Sequence, residues 1–300
     1  PTDVEQLVDA LVALGIKSIE GGVVGDEDIY DRERYVPSWG DGIRSVEAGP
    51  LGALMINDGS VSGSPLKPAN PAFAAASEFT KLLTARGITV RDSPDIGVSS
   101  ADIPTIATLE SAPMREIVAE MLTNSDNNTA ELLVKEIGLV GMGAGTRVDG
   151  LTVIANKIAE WGLPGAGVAF LDASGLDRGN LLTCRLLTEL LQRDGKEGLI
   201  TTGMALAGKT GTLRDVFLTG PGSGTMRAKT GTLNGVKSLS GVMPLEDGRA
   251  SYFSLIMNGS GVSTVNFYRP IWNNLASALA FGDAKIDVNK LLPLRPSAQP

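Results

Sequence analysis

The stretch that decides the fold reads Met226-Arg227-Ala228-Lys229-Thr230-Gly231-Thr232-Leu233-Asn234-Gly235-Val236. Asn-Gly between two β-like runs is the strongest short hairpin signal. Another β-like run follows the turn Glu246-Asp247-Gly248. We therefore predict an antiparallel meander of three strands, over 226–233, 236–243 and 252–258.

Helical patterns lie on both sides of this meander. Thr2 and Glu5 form a capping box ahead of the first helical pattern, and Pro71 occupies a first-turn position ahead of the second. Further helices are predicted over 114–122, 129–137, 151–161, 183–191 and 265–281. The last of these is placed to cover the sheet, and Cys184 is predicted to be a buried small residue in its helix.

Residues 31–71 are rich in Gly, Pro and Ser and contain only short apolar pieces. This composition predicts a loop-rich accessory region. At the other end, the segment 283–300 carries Pro293, Pro296 and Pro300 and is predicted to be irregular. The chain opens at Pro1 without an initiator Met, which we interpret as a processed or truncated start.

The composition excludes several classes of function. The 300 residues are 43% hydrophobic and 20% charged, which is typical of a globular protein with a core. A net charge of -8 and a pI near 4.8 argue against a nucleic-acid partner. Cys184 is the single cysteine and histidine is absent, so we expect no internal disulfide, no metal site and no cofactor. No apolar run is long enough to span a membrane.

The lack of histidine also restricts any nucleophilic chemistry. Without imidazole, a Ser-His-Asp or Cys-His relay is impossible, and the base must be a lysine or a carboxylate. The chain carries Ser125-Asp126-Asn127 and, later, Lys229-Thr230-Gly231-Thr232. Such a pair of motifs is typical of serine acyl-transferases that use lysine.

The later motif has the features of a ligand-binding strand. Alternation places Thr230 and Thr232 on one side, where two hydroxyls can hold a carboxylate beside the charge of Lys229. Gly231 allows a ligand backbone to approach, and the Thr232 N–H can face an oxyanion. The alternative is an ordinary hairpin strand with a surface lysine.

The motif has an earlier copy, Gly208-Lys209-Thr210-Gly211-Thr212-Leu213. No hairpin partner follows it closely, so we predict that the copy at Lys229 is the working one. For the other motif, Ser125 is a candidate proton relay between two lysines, and Asn127 is a candidate to hold a substrate amide. The alternative is that these residues only cap a helix.

Taken together, the motifs resemble one known family. They are Ser125-Asp126-Asn127-x-Thr129-Ala130-Glu131-Leu132, Asp172-x-Ser174-Gly175-Leu176, and Arg227–Leu233 followed by Ser238-Leu239-Ser240-Gly241. They are similar to the D-alanyl-D-alanine carboxypeptidase/endopeptidase family of low-molecular-mass, class C penicillin-binding proteins. The segments 21–26 and 49–54 add to the resemblance, which covers about residues 1–281.

The resemblance implies an α/β fold of the penicillin-binding-protein/serine β-lactamase-like transpeptidase type, an antiparallel sheet flanked by helices with a smaller accessory region. Its domains would be a partial accessory region over 1–70, the penicillin-binding catalytic domain over 71–282 and the tail. It implies a serine D-Ala-D-Ala carboxypeptidase/endopeptidase that acts on peptidoglycan stem peptides through an acyl-enzyme, is inhibited by β-lactams and works outside the cytoplasm. By the same resemblance Ser125, Asn127 and Lys229 are catalytic, Thr230, Gly231 and Thr232 bind substrate, and Asp172 and Ser174 lie at the rim.

The family's nucleophile lies in a Ser-x-x-Lys motif at the start of a helix. Ser64-Pro65-Leu66-Lys67 has that spelling, but it lies in a proline-punctuated segment and too late in the family's order. We therefore expect an upstream segment of the same precursor to supply the nucleophile. Two alternatives remain: a catalytically inactive peptidoglycan-binding or scaffolding fragment, and a serine β-lactamase. The β-lactamase is disfavoured because no Glu-x-x-Leu-Asn run lies between the motifs.

Overall fold

The computed structural model describes residues 3–64 and 66–280. Its helices are α1 (Glu5–Ala13), α2 (Pro71–Ala85), α3 (Met114–Asn124), α4 (Asn127–Met142), α5 (Arg147–Glu160), α6 (Cys184–Asp194), α7 (Leu199–Gly203) and α8 (Val265–Ala280). Its strands are β1 (Ser18–Ile19), β2 (Val24–Gly25), β3 (Thr89–Val90), β4 (Asp95–Ile96), β5 (Ala205–Leu206), β6 (Arg227–Leu233), β7 (Val236–Pro244) and β8 (Ala250–Asn258). Thr2 and the tail predicted over 283–300 lie outside the described residues.

The main sheet is antiparallel, with the strand order β5-β6-β7-β8. Leu233 pairs with Val236 across the turn Asn234-Gly235, and Gly235 has a φ of 75°. The predicted meander is therefore confirmed, together with the α/β fold class. Strand β5, whose two residues pair with Arg227 and Ala228 of β6, was not predicted.

Helices cover both faces of this sheet. On one face, Leu239 and Phe253 pack in a core with Tyr268 and Trp272 of α8, as expected for the last helix. On the other face, Val242 packs against Leu191 of α6 and Met204. Burial on both sides makes the sheet a rigid platform whose exposed parts are its edges.

Only Ser125 and Asp126 separate α3 from α4, whereas the helices predicted over 114–122 and 129–137 leave a longer gap. Asp126 caps α4 by accepting a hydrogen bond from the Thr129 N–H at 3.1 Å. The next helix, α5, packs closely on α4. A Cβ on Gly150 of α5 would lie only 1.8 Å from the carbonyl oxygen of Val134 in α4, so glycine is needed there. Cys184 is exposed at the first position of α6, so its predicted burial is wrong.

The N-terminal part forms a second core. Val8 and Leu11 of α1 pack with Leu83 of α2 and with Ile88. Beside them, β1 pairs in parallel with β3, and β2 with β4. The domain boundary predicted at residue 70 separates α1 from α2, which share this core; the three-part division stays a prediction.

The loop-rich region predicted over 31–71 lies against the main body. Val36, Trp39 and Leu51 pack with Leu176 in a separate apolar cluster. Ion pairs add to this contact, at 2.6 Å between the buried Lys135 and the partly exposed Asp31, and at 2.7 Å between Arg147 and Glu33, both partly exposed. The region is thus fixed beside α4 and α5. Across residues 3–64 and 66–280, no helix has the length and apolar character that crossing a bilayer requires.

Candidate active site

A cleft of about 740 Å³ lies where α3 meets α4, facing β6 and the loop that follows residue 173. The predicted site residues that line it are Ser125, Asn127, Ser174, Lys229, Thr230, Gly231 and Thr232. The structure therefore brings both motifs together at one cavity, although they are far apart in the chain.

Lys229 connects the two walls of the cleft. Its Nζ donates to the Ser125 Oγ at 2.7 Å and to the Thr230 carbonyl oxygen at 2.9 Å. Burial lowers the pKa of Lys229 to about 8, because the charged form is poorly solvated there. The lysine is thus a cation at neutral pH that can lose its proton at a moderate cost.

Ser125 has a backbone conformation that suits this contact. It ends α3 in the left-handed region, with φ 62° and ψ 51°, which is uncommon for a residue other than Gly, Asn or Asp. Asp126, not Ser125, performs the capping of α4. The Ser125 hydroxyl is therefore free for the cleft, which argues against a purely structural role of this motif.

The two asparagines that follow are held by the loop-rich region. The Asn127 side-chain amide donates to the carbonyl oxygen of Glu47 at 3.0 Å. Asn128 is buried, and its Oδ1 accepts from the Gly49 N–H at 2.7 Å. Glu47 itself lines the cleft, which the sequence analysis did not foresee.

The edge of β6 that faces the cleft is open beyond Ala228. The partner strand β5 ends its pairing there, and in the part of the chain that the structure describes no other strand pairs with this side of 229–233. The Met226 carbonyl oxygen accepts from the Ala207 N–H at 2.9 Å on this same side. Along an antiparallel strand, the backbone N–H and C=O groups of every second residue point to the same side. The N–H and C=O groups of Thr230 and Thr232 therefore point to the same side as those of Met226, which is the open edge.

The loop after residue 171 is held by two buried carboxylates. Asp172 is 3% exposed and accepts from the Trp39 Nε1 at 2.9 Å and the Gly175 N–H at 2.9 Å. Glu131 is 0% exposed, and its Oε1 accepts from the Ser174 N–H at 2.8 Å. Burial raises the pKa of Glu131. The structure places Ser174 on the cleft wall and Asp172 behind it, which corrects the prediction that Asp172 is a rim residue.

Comparison with known proteins agrees with this geometry. Residues 63–270 match the model of the D-Ala-D-Ala carboxypeptidase 3 (S13) family. The chain belongs to this family. Over 200 residues this S13-family chain is 35% identical to the D-alanyl-D-alanine carboxypeptidase of Actinomadura sp. (strain R39). The alignment covers 63% of this chain and 37% of the relative.

Two further relatives match a larger share of this chain. Carboxypeptidase DacB of Mycolicibacterium smegmatis is 26% identical over 270 residues, which is 86% of the S13-family chain and 58% of that protein. Penicillin binding protein 4 (dacB) from Haemophilus influenzae superposes with a TM-score of 0.75 at 18% identity, covering 91% of this chain and 78% of that one. The structural match supports the fold, while the chain spans only 37% and 58% of the lengths of the two curated relatives.

The earlier copy of the Lys-Thr-Gly motif packs against α3 next to the cleft. Gly211–Leu213 form a 3₁₀ turn, and a Cβ on Gly211 would lie 1.9 Å from the Thr123 carbonyl oxygen of α3. Thr212 lines the cleft, whereas Lys209 is exposed outside it. The geometry supports the choice of Lys229, but the sequence analysis missed the contribution of Thr212.

The Ser64 and Lys67 side chains do not line the cleft. The Ser64 Oγ donates to the Leu66 carbonyl oxygen at 2.9 Å in an exposed turn. This position agrees with the expectation that Ser64 is not the nucleophile. Among residues 3–64 and 66–280, no group of three or more His, Cys, Asp or Glu side chains is arranged to hold a metal ion.

Proposed function

We propose that this cleft binds the D-Ala-D-Ala end of a peptidoglycan stem peptide and forms two walls of a serine carboxypeptidase/endopeptidase site. The observation that carries the proposal is the 2.7 Å contact between Lys229 and Ser125 beside an open strand edge. Membership of the S13 family and the name of the Actinomadura relative, a D-alanyl-D-alanine carboxypeptidase, support the substrate class.

The open edge accounts for how a peptide is held. An extended peptide pairs with the outward backbone groups of Thr230 and Thr232, as an added strand does. Its terminal carboxylate meets the Lys229 ammonium and the threonine hydroxyls. The Thr232 N–H stabilises the oxyanion that forms when the scissile carbonyl is attacked, and Ser125 passes a proton between Lys229 and the attacking side.

The reaction proposed is acylation of a serine, release of D-alanine and hydrolysis of the acyl-enzyme. A β-lactam acylates the same serine and remains attached, so β-lactams are the expected inhibitors. Peptidoglycan lies outside the cytoplasm, and we place the protein there for that reason.

We propose that neither Ser64, which lies away from the cleft, nor Ser125, which accepts a hydrogen bond from Lys229, is the acylated serine. A fluorescent penicillin followed by intact mass tests this assignment. The 300-residue chain is expected to stay unmodified, and the full-length protein to gain one penicilloyl group. An adduct on this chain, whether at Ser125 or at Ser64, would contradict the assignment.

The result also separates the alternatives. A full-length protein that binds stem peptides but never reacts with penicillin would be a peptidoglycan-binding or scaffolding protein of this fold. Rapid release of the penicilloyl group would instead indicate a β-lactamase.

The pKa of Lys229 predicts how peptide binding depends on pH. Below about 8 the lysine carries the charge that holds a carboxylate, and above it this charge is lost. The affinity for an N-acetylated peptide ending in D-Ala-D-Ala should therefore fall about tenfold between one unit below and one unit above the pKa. NMR titrations from pH 6.5 to 9.5 measure this, with the melting temperature recorded at each pH. An affinity that stays constant across this range contradicts the role of Lys229.

A further inference from the structure

A second lysine, Lys237, lies next to the open edge of β6 and has no part in the mechanism described above. Lys237 of β7 stands directly opposite Thr232 of β6 in the strand register. It is only 7% exposed, which is unusual for lysine. It forms no ion pair with any of the described residues, so its charge requires another explanation.

Two aromatic rings of α8 surround the Lys237 ammonium. Its Nζ lies 4.3 Å from the centroid of the Tyr268 ring and 5.0 Å from that of Trp272. Ring faces attract a cation and partly replace the water that burial removes. Burial lowers the pKa of Lys237; Tyr268 opposes this effect, and the nearby charge of Arg269 adds to it. The protein thus keeps a cation at this place despite an opposing neighbour.

The remaining contact of Lys237 is with the site. Its Nζ donates to the Thr232 Oγ1 at 2.6 Å. An ammonium group has only protons to offer, so the threonine oxygen must accept. The Thr232 hydroxyl proton is then left for a different acceptor, and Thr232 is exposed on the cleft wall.

We propose that Lys237 is a positioning residue that makes the cleft prefer a free carboxylate terminus, because it holds the Thr232 hydroxyl as a hydrogen-bond donor toward the ligand. This inference rests on the proposed function. Lys229 and Thr232 lie on opposite faces of β6 at the same open edge, so a carboxylate there is approached by a cation and by a fixed donor.

The fixed donor on Thr232 affects which peptide ends the cleft prefers. A terminal carboxylate offers two anionic oxygens, whereas a peptide that continues past the second alanine has only a neutral amide at that place. Lys237 therefore favours a peptide that ends in a free carboxylate over one that continues past the second alanine. It adds specificity to the site without contacting the scissile bond.

The test compares two probes on the 300-residue chain, an N-acetylated peptide ending in D-Ala-D-Ala and its C-terminal amide. The dissociation constants are measured by NMR titration for the unchanged chain, Lys237→Met, Lys237→Arg and Lys209→Met. Methionine keeps an unbranched apolar stem against Tyr268 and Trp272 but removes the charge. Lys209→Met removes the same charge from an exposed position outside the cleft.

We expect Lys237→Met to reduce the preference for carboxylate over amide by about tenfold, the range of a hydrogen bond to a charged group. Lys237→Arg should retain most of the preference, and Lys209→Met all of it. Thr232→Val should reproduce the loss with Lys237 intact, and the double variant should lose no more than either single one, since both act through one hydroxyl.

The outcomes are distinct. An unchanged preference in a folded Lys237→Met overturns the inference, as do fully additive losses in the double variant. If Lys237→Met does not fold, Thr232→Val and Lys237→Arg decide alone: the inference fails if either behaves otherwise than expected. If the unchanged chain binds neither probe, the same variants are compared in the full-length protein, and if that protein binds neither probe, the proposed function itself is wrong.

Discussion

Lys229→Ala is expected to slow acylation of the full-length protein by penicillin about a thousandfold, the upper range for loss of one charge-stabilising group in an acyl-transfer site. The substitution removes the cation that contacts both Ser125 and the Thr230 carbonyl oxygen. Without Lys229, Ser125 has no lysine with which to exchange a proton, and no ammonium group attracts the carboxylate of the penicillin. The rate of fluorescent labelling measures the effect.

The chain contains a matched control for this experiment. Lys209 stands in the same five-residue sequence, Lys-Thr-Gly-Thr-Leu, but its side chain is exposed outside the cleft. Lys209→Ala should leave the labelling rate unchanged. Equal losses from both substitutions would show that the copy at Lys229 has no special role.

Asp172→Ala is expected to destabilise the protein by about 3 kcal/mol, since it leaves several buried donors without an acceptor. Besides Trp39 and Gly175, the carboxylate accepts from the Asp177 N–H at 2.6 Å and the Asn180 Nδ2 at 2.6 Å. The loop that carries Ser174 depends on these bonds. Urea unfolding at pH 7 gives the free energy of unfolding.

The control is Asp102→Ala, which removes an exposed carboxylate. It should change the free energy of unfolding by no more than about 0.5 kcal/mol. If both aspartates gave the same small change, the buried network around Asp172 would not determine the conformation of the loop. A loss confined to Asp172→Ala, together with weaker peptide binding, would link the network to the cleft.

Local signals in the sequence predicted the part of the site that the main sheet presents. Asn234-Gly235 fixes the hairpin register, and the register fixes which groups of Thr230 and Thr232 reach the open edge. Ser125 was predicted to lie between two helices because polar residues interrupt an apolar period there. Both inferences depend on neighbours within a few residues, where periodicity and turn chemistry are informative.

Other features depend on contacts that no local pattern records. The strands β1 to β5 have two residues each, too few for a period of two to be visible. Asp172 was predicted at the rim from the family resemblance, yet Trp39 from a remote segment covers it. No prediction was made for Lys237, because its burial depends on the position of the Tyr268 and Trp272 rings of α8.

The two copies of Lys-Thr-Gly-Thr-Leu have a broader meaning. In one copy Gly211–Leu213 turn tightly against α3, and in the other Arg227–Leu233 are extended in the sheet. The pentapeptide therefore has no conformation of its own, and each copy takes the shape that its surroundings impose. A motif of this length identifies chemistry only after the neighbouring chain has selected one of its two shapes.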